Sequence, residues 1–113
     1  MKFMCLIYDD EAAFWKLSDA ERSAVYGAYG SLREEITRRG QFVDGSQLAP
    51  TQQSTIVRVR NGQTQTTDGP FAETREQLGG YILIEAQDMN EAIAVAARIP
   101  TASNGAVEVR PLI

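Results

Sequence analysis

The sequence predicts an α+β fold of the ferredoxin-like kind, an antiparallel sheet carrying two helices. Three observations predict it. Two amphipathic helical segments lie far apart in the chain, each opened by its own capping signature. Short β-rich segments precede, separate and follow them, giving the order β-α-β-(hairpin)-β-α-β. At 113 residues, 43% apolar and 23% charged, the chain has the size and composition of one soluble globular domain spanning 1–113.

Residues 2–8, KFMCLIY, form an almost wholly apolar first strand, ended by Asp9, Asp10 and Glu11. Phe14, Trp15 and Leu17 follow as an apolar patch in the connection. Ser18 and Glu21 then stand at capping-box spacing. Val25, Tyr29, Leu32 and Ile36 recur as one stripe of a helix. Gly27 and Gly30 interrupt it, each weakening the helix by up to about 1 kcal/mol relative to alanine or admitting a neighbouring backbone. Arg38 and Arg39 before Gly40 suit its C-terminal end.

From Gln41 to Leu48 the pattern is that of an irregular strand broken at Asp44-Gly45 and stopped by Pro50. Thr55 to Arg60 is β-rich, Asn61-Gly62 is a two-residue hairpin signal, and Gln63 to Thr67 returns. Tyr81 to Ile84 is a further strand. Asp88 and Glu91 open the second helix, in which Met89, Ala92, Ile93, Ala96, Ala97 and Ile99 are apolar and which Pro100 stops. Val107 to Arg110 alternates as a last strand.

Two helices cover one face of such a sheet. The other face carries Met4, Leu6 and Tyr8, or their alternates, with Tyr81 and Leu83. That face is too apolar for water and calls for a partner, most simply a second copy related by a two-fold axis.

Composition excludes several chemistries. No histidine is present, which removes the commonest general base and metal ligand and with it Ser-His-Asp and Cys-His catalysis by this chain alone. One cysteine, Cys5, allows neither an intrachain disulfide nor a thiolate zinc site, and reads as a small buried apolar residue. Lys2 and Lys16 lie outside any apolar segment that would lower their pKa for Schiff-base chemistry. A net charge of −4 with arginines scattered among acids argues against a nucleic-acid partner. No apolar run is long enough to span a membrane, and the N-terminal run is too short for a signal peptide, so the reading is cytoplasmic. No cofactor and no metal is assigned.

The densest functional signal is DGPFAETREQLGGY, residues 68–81, a polar loop with three carboxylates, an arginine and three glycines before a strand. Asp68 and Glu73 are the catalytic candidates, as acid–base carboxylates. Candidate ligand contacts are Tyr8, Asp44, Asp68, Phe71, Glu73, Arg75, Tyr81 and Arg110. Each has a structural alternative. Asp68 can cap the turn, Phe71 can anchor the loop as a buried plug, Glu73 and Arg75 can be a solvated pair, and Arg110 can pair with Glu85 or Glu108. The loop is expected to be a rigid turn at the rim of a cleft between helices and sheet. Gly79-Gly80 is no phosphate loop, because a strand follows it directly.

These residues also carry a resemblance. The opening KFMCLIY followed by acids, the run from Thr67 through Asp68-Gly69-Pro70-Phe71 to Tyr81, and the ending GAVEVRP resemble the YCII-related family over the whole chain, in particular the subgroup marked by the Asp-Gly-Pro-Phe motif. The resemblance implies a dimeric α+β barrel of two sheets packed face to face. It also implies association with extracytoplasmic-function sigma factors. Enzyme-like relatives pair a histidine with an aspartate; here Asn104 stands in the turn where a histidine would serve. Two functions follow: a small-ligand-binding or enzyme-like dimer using the 68–76 carboxylates, and a regulatory or interaction module without chemistry.

Overall fold

A computed structural model describes all residues, 1–113. The strands are β1 (Lys2–Asp9), β2 (Phe42–Gln47), β3 (Thr55–Arg60), β4 (Gln63–Asp68), β5 (Gln77–Glu85) and β6 (Ala106–Pro111). The helices are α1 (Glu11–Lys16), α2 (Asp19–Arg38) and α3 (Met89–Ala96). Four strands form one antiparallel sheet in the order β2-β5-β1-β6, and β3 pairs with β4 in a separate two-stranded sheet. Without that hairpin and the short α1, the order is the ferredoxin-like one.

Local chemistry sets the boundaries. The Ser18 Oγ accepts from the Glu21 N–H at 3.1 Å while Glu21 Oε1 accepts from the Ser18 N–H at 3.0 Å, closing the capping box of α2. Asp88 caps α3 by accepting from the Glu91 N–H at 2.9 Å. The segment read as a bare connection, Phe14 to Leu17, is largely the helix α1, because Asp10 accepts from the Ala13 N–H and caps it. Asn61 and Gly62 both have positive φ, 53° and 73°, as the tight turn between β3 and β4 requires. Strand β5 starts at Gln77, earlier than the apolar pattern indicates, because Gln77, Leu78 and Gly80 continue the ladder against β1, and Gly80 also pairs with β2. A side chain at Gly80 would come within 2.9 Å of the Ser46 carbonyl oxygen.

Alternation along β1 divides the sheet into two faces. Phe3, Cys5 and Ile7 point to the helices and are buried with Ile82, Ile84, Leu32, Ile36, Val95 and Ile99. In α3 the buried residues are Ala92, Val95 and Ala96, whereas Ile93 is half exposed, so the inward stripe runs through Val95 and not through Ile93. Burial holds the Cys5 thiol up at about 11, in line with its reading as an inert apolar residue. On the opposite face Met4 lies across from Leu83 and Leu6 across from Tyr81, all partly exposed and without a covering layer. Leu83 therefore belongs to the open face, and Ile84, fully buried, to the core.

Candidate functional site

The predicted ligand contacts separate into two groups. Tyr8, Asp44, Tyr81 and Arg110 lie on the open face of the sheet. The Tyr81 hydroxyl donates to Asp44 Oδ2 at 3.2 Å, and the Asp44 charge raises the Tyr81 pKa. The Arg110 guanidinium pairs at 2.6 Å with Glu108 of its own strand, which raises the Arg110 pKa. The Tyr8 hydroxyl stands 3.5 Å from Glu108 Oε1. Of the two acids considered for Arg110, the partner is Glu108, two residues away and on the same face by β alternation.

Asp68, Phe71, Glu73 and Arg75 form the other group, all exposed. Phe71 is 75% exposed, so it is not the buried plug the sequence predicts. Its ring instead receives the Arg58 guanidinium at 5.6 Å from the centroid. The Asp68 carboxylate accepts no hydrogen bond and does not cap the turn. What fixes the turn is the backbone: the Gly69 N–H donates to the Ser54 carbonyl at 2.8 Å.

The cleft between helices and sheet is present, with a volume of about 300 Å³, but none of residues 68–76 lines it. Its floor is Ile7, Ile82 and the glycines Gly45, Gly79 and Gly80. Its roof is the α2 face bearing Val25, Tyr26, Tyr29, Gly30 and Arg33, and Phe14 and Trp15 of α1 close one side. Apart from Tyr81, whose side chain lies on the open face, five of the nine aromatic residues line it: Phe14, Trp15, Tyr26, Tyr29 and Phe42. Phe14 meets Trp15 and Tyr26 edge-on, with centroids 5.0 and 6.0 Å apart, which fixes the rings of that wall. Arg33 stacks over Phe42 at 4.6 Å.

Missing side chains make the space. Gly30 sits where a β-carbon would meet nothing within 4 Å, so no neighbouring backbone approaches α2 there; the glycine leaves volume instead. Gly79 is the extra residue of a β-bulge opposite the Ile7–Tyr8 step, a place where a side chain would intrude. The open side is stitched by Glu11, whose carboxylate accepts from the Thr51 hydroxyl and N–H while its own N–H donates to Gln77 Oε1 at 3.0 Å.

The cavity's chemistry converges on Asp9. Asp9 follows Phe3, Cys5 and Ile7 in the inward alternation of β1, so a carboxylate occupies the last core position of the strand. Burial, and then the charges of Asp10, Glu11 and Glu76, push its pKa up. It accepts no hydrogen bond from the protein and is in no ion pair. At the same end of the cavity the Tyr29 hydroxyl is bonded to Thr101 Oγ1 at 2.5 Å, and burial raises the tyrosine pKa. By its sequence context Asp9 reads as a strand stop. The signal that it faces inward was the i, i+2 register with Cys5 and Ile7.

A family model, the YCII-related domain, matches residues 1–113. The chain belongs to the YCII-related family. An uncharacterised protein of Rhizobium meliloti (strain 1021) is 34% identical to it over 114 residues, covering 99% of this chain and 92% of that protein. In this YCII-related domain the polar run 68–76 and the cavity are thus separate features. No helix is long and apolar enough to cross a membrane.

Proposed function

We propose that this YCII-related domain, of the subgroup its Asp68-Gly69-Pro70-Phe71 motif marks, is a dimeric accessory or regulatory module that binds a small, flat, largely apolar molecule in the α2–sheet cavity. The observation that carries this is the cavity itself: aromatic walls, a glycine-cleared floor and a single unbonded carboxylate, Asp9, at one end. Apolar walls with a few convergent polar groups are the usual makeup of a ligand site. Dimerisation rests on the uncovered sheet face, where Met4, Leu6, Tyr81 and Leu83 form an apolar centre between the Asp44–Tyr81 and Glu108–Arg110 pairs.

Indole and phenol are suitable probes, each flat and able to donate one hydrogen bond to Asp9. Titrated at millimolar concentration into the protein, they should shift the NMR signals of Ile7, Tyr29, Gly30 and Gly80. Shifts confined to the surface, or none, would overturn the proposal.

An enzymatic reading has one observation in its favour. A carboxylate with a raised pKa inside a cavity is suited to proton transfer. That group is Asp9; Asp68 and Glu73 lie outside the cavity.

A further inference from the structure

The β3–β4 hairpin pairs only with itself and buries little of its surface within its own chain. All six residues of β4 and five of the six in β3 are exposed, and Val57 and Val59 retain 60% and 58% of their surface. The hairpin pairs with no strand of the main sheet. The radius of gyration is 15.9 Å, where a compact chain of this length has about 13 Å. The molecule measures 47 × 39 × 20 Å, and 20 Å is the depth of one sheet and one helix layer. The hairpin therefore extends sideways, as an arm about 20 Å long by strand rise, and folds back over neither face. A lone two-stranded hairpin is marginal in water.

Its charge is one-sided. From Pro50 to Thr67 there is no acid, and Arg58 and Arg60 stand on one face of the arm, with Arg58 against the exposed ring of Phe71. Neither arginine forms an ion pair. The Asp9 end of the cavity has the converse: Asp9 and Glu11 line it, Asp10 and Glu76 lie beside it near enough for their charges to act on Asp9, and no cation pairs with any of the four. The chain thus holds an unpaired basic arm and an unpaired acidic cavity end that do not meet within one copy.

We infer that the β3–β4 arm reaches onto a second copy of this chain and sets Arg58, Arg60 and Phe71 against the acidic cavity end formed by the partner's Asp9–Glu11 and Glu76, so that each cavity is closed by the other copy. A two-fold axis makes the exchange reciprocal, one arm to one cavity end in each direction. The inference rests on the self-association proposed above and adds which element crosses and what it covers.

A photo-crosslinking residue, p-benzoylphenylalanine, at the exposed position Gln65, directly across from Arg58 and on the same face of the arm, tests it. Isotope-labelled and unlabelled chains are mixed, irradiated and digested, with the mass in solution measured alongside by light scattering. The expected result is a dimer whose crosslinks join labelled to unlabelled chains and map to α1 and residues 9–16. A dimer whose crosslinks fall within one chain, fall elsewhere on the partner, or do not form overturns the arm exchange and leaves the dimer standing. A monomer overturns both. The double substitution R58E/R60E, at exposed positions, should raise the dimer dissociation constant at least tenfold at low salt; an unchanged constant overturns the inference as well.

Discussion

Gly69 and Ser54 lock the base of the arm together: the Gly69 N–H donates to the Ser54 carbonyl at 2.8 Å, and a β-carbon at 69 would stand 2.9 Å from the Ser54 Cβ and inside contact distance of its hydroxyl. The signature loop is thereby explained by backbone proximity rather than by its carboxylate. Gly69→Ala should force the two strands apart at that point. Trypsin should then cut faster after Arg58 and Arg60 than in the wild type. Asp68→Asn, at an exposed group bonded to nothing, should leave stability within about 0.5 kcal/mol. Urea unfolding and limited proteolysis of the two variants side by side check both expectations. A large loss of stability in Asp68→Asn would show that the carboxylate has a structural role.

Asp9 should make stability fall as pH rises. Its folded pKa lies above the unfolded one, so between the two values the folded state holds more proton. The favourable contribution is fully present below the ordinary aspartate range and is lost as pH climbs through the raised folded value. Asp9→Asn should accordingly raise Tm at pH 7, and the gain should shrink toward zero as the pH is lowered below the ordinary aspartate value. Thermal melts of both proteins across pH 3–8 read this directly; equal gain at every pH would mean the carboxylate charge is not the cause.

Gly30→Leu separates ligand binding from folding. A side chain there enters open space beside the cavity, and replacing glycine inside α2 improves helix propensity by roughly 0.5–1 kcal/mol. The variant should melt at the wild-type temperature or above it while losing indole and phenol binding. Retained binding, followed by the same NMR signals, would place the ligand elsewhere.

Leu83→Asp introduces a charge at the centre of the uncovered sheet face, opposite Met4 and Asp44. Burying it without a counter-charge costs several kcal/mol, so the product should be monomeric or aggregated. Light scattering at micromolar concentration distinguishes this from an unaffected dimer. The latter would mean that this face is not where two copies meet.

Much of the fold was legible in the chain because its determinants are local. Ser18 and Glu21, Asp88 and Glu91, and Asn61-Gly62 each act within four residues, and they bounded two helices and a hairpin correctly. The strand alternation of Phe3, Cys5 and Ile7 fixed which residues form the core once one face was known to be covered. The candidate site was less legible. The polar loop at Asp68 attracted attention by composition, yet composition does not reveal that its aspartate meets nothing and its phenylalanine stays exposed. Tertiary structure alone decided that Tyr29, Gly30 and Arg33 face the glycines of β2 and β5 across open space, because a cavity is defined by the distance between elements remote in sequence. It also decided that Asp9, the next inward residue after Ile7, is desolvated. Alternation places a side chain on a face, and only the packing of α1 and α2 above that face determines whether water reaches it.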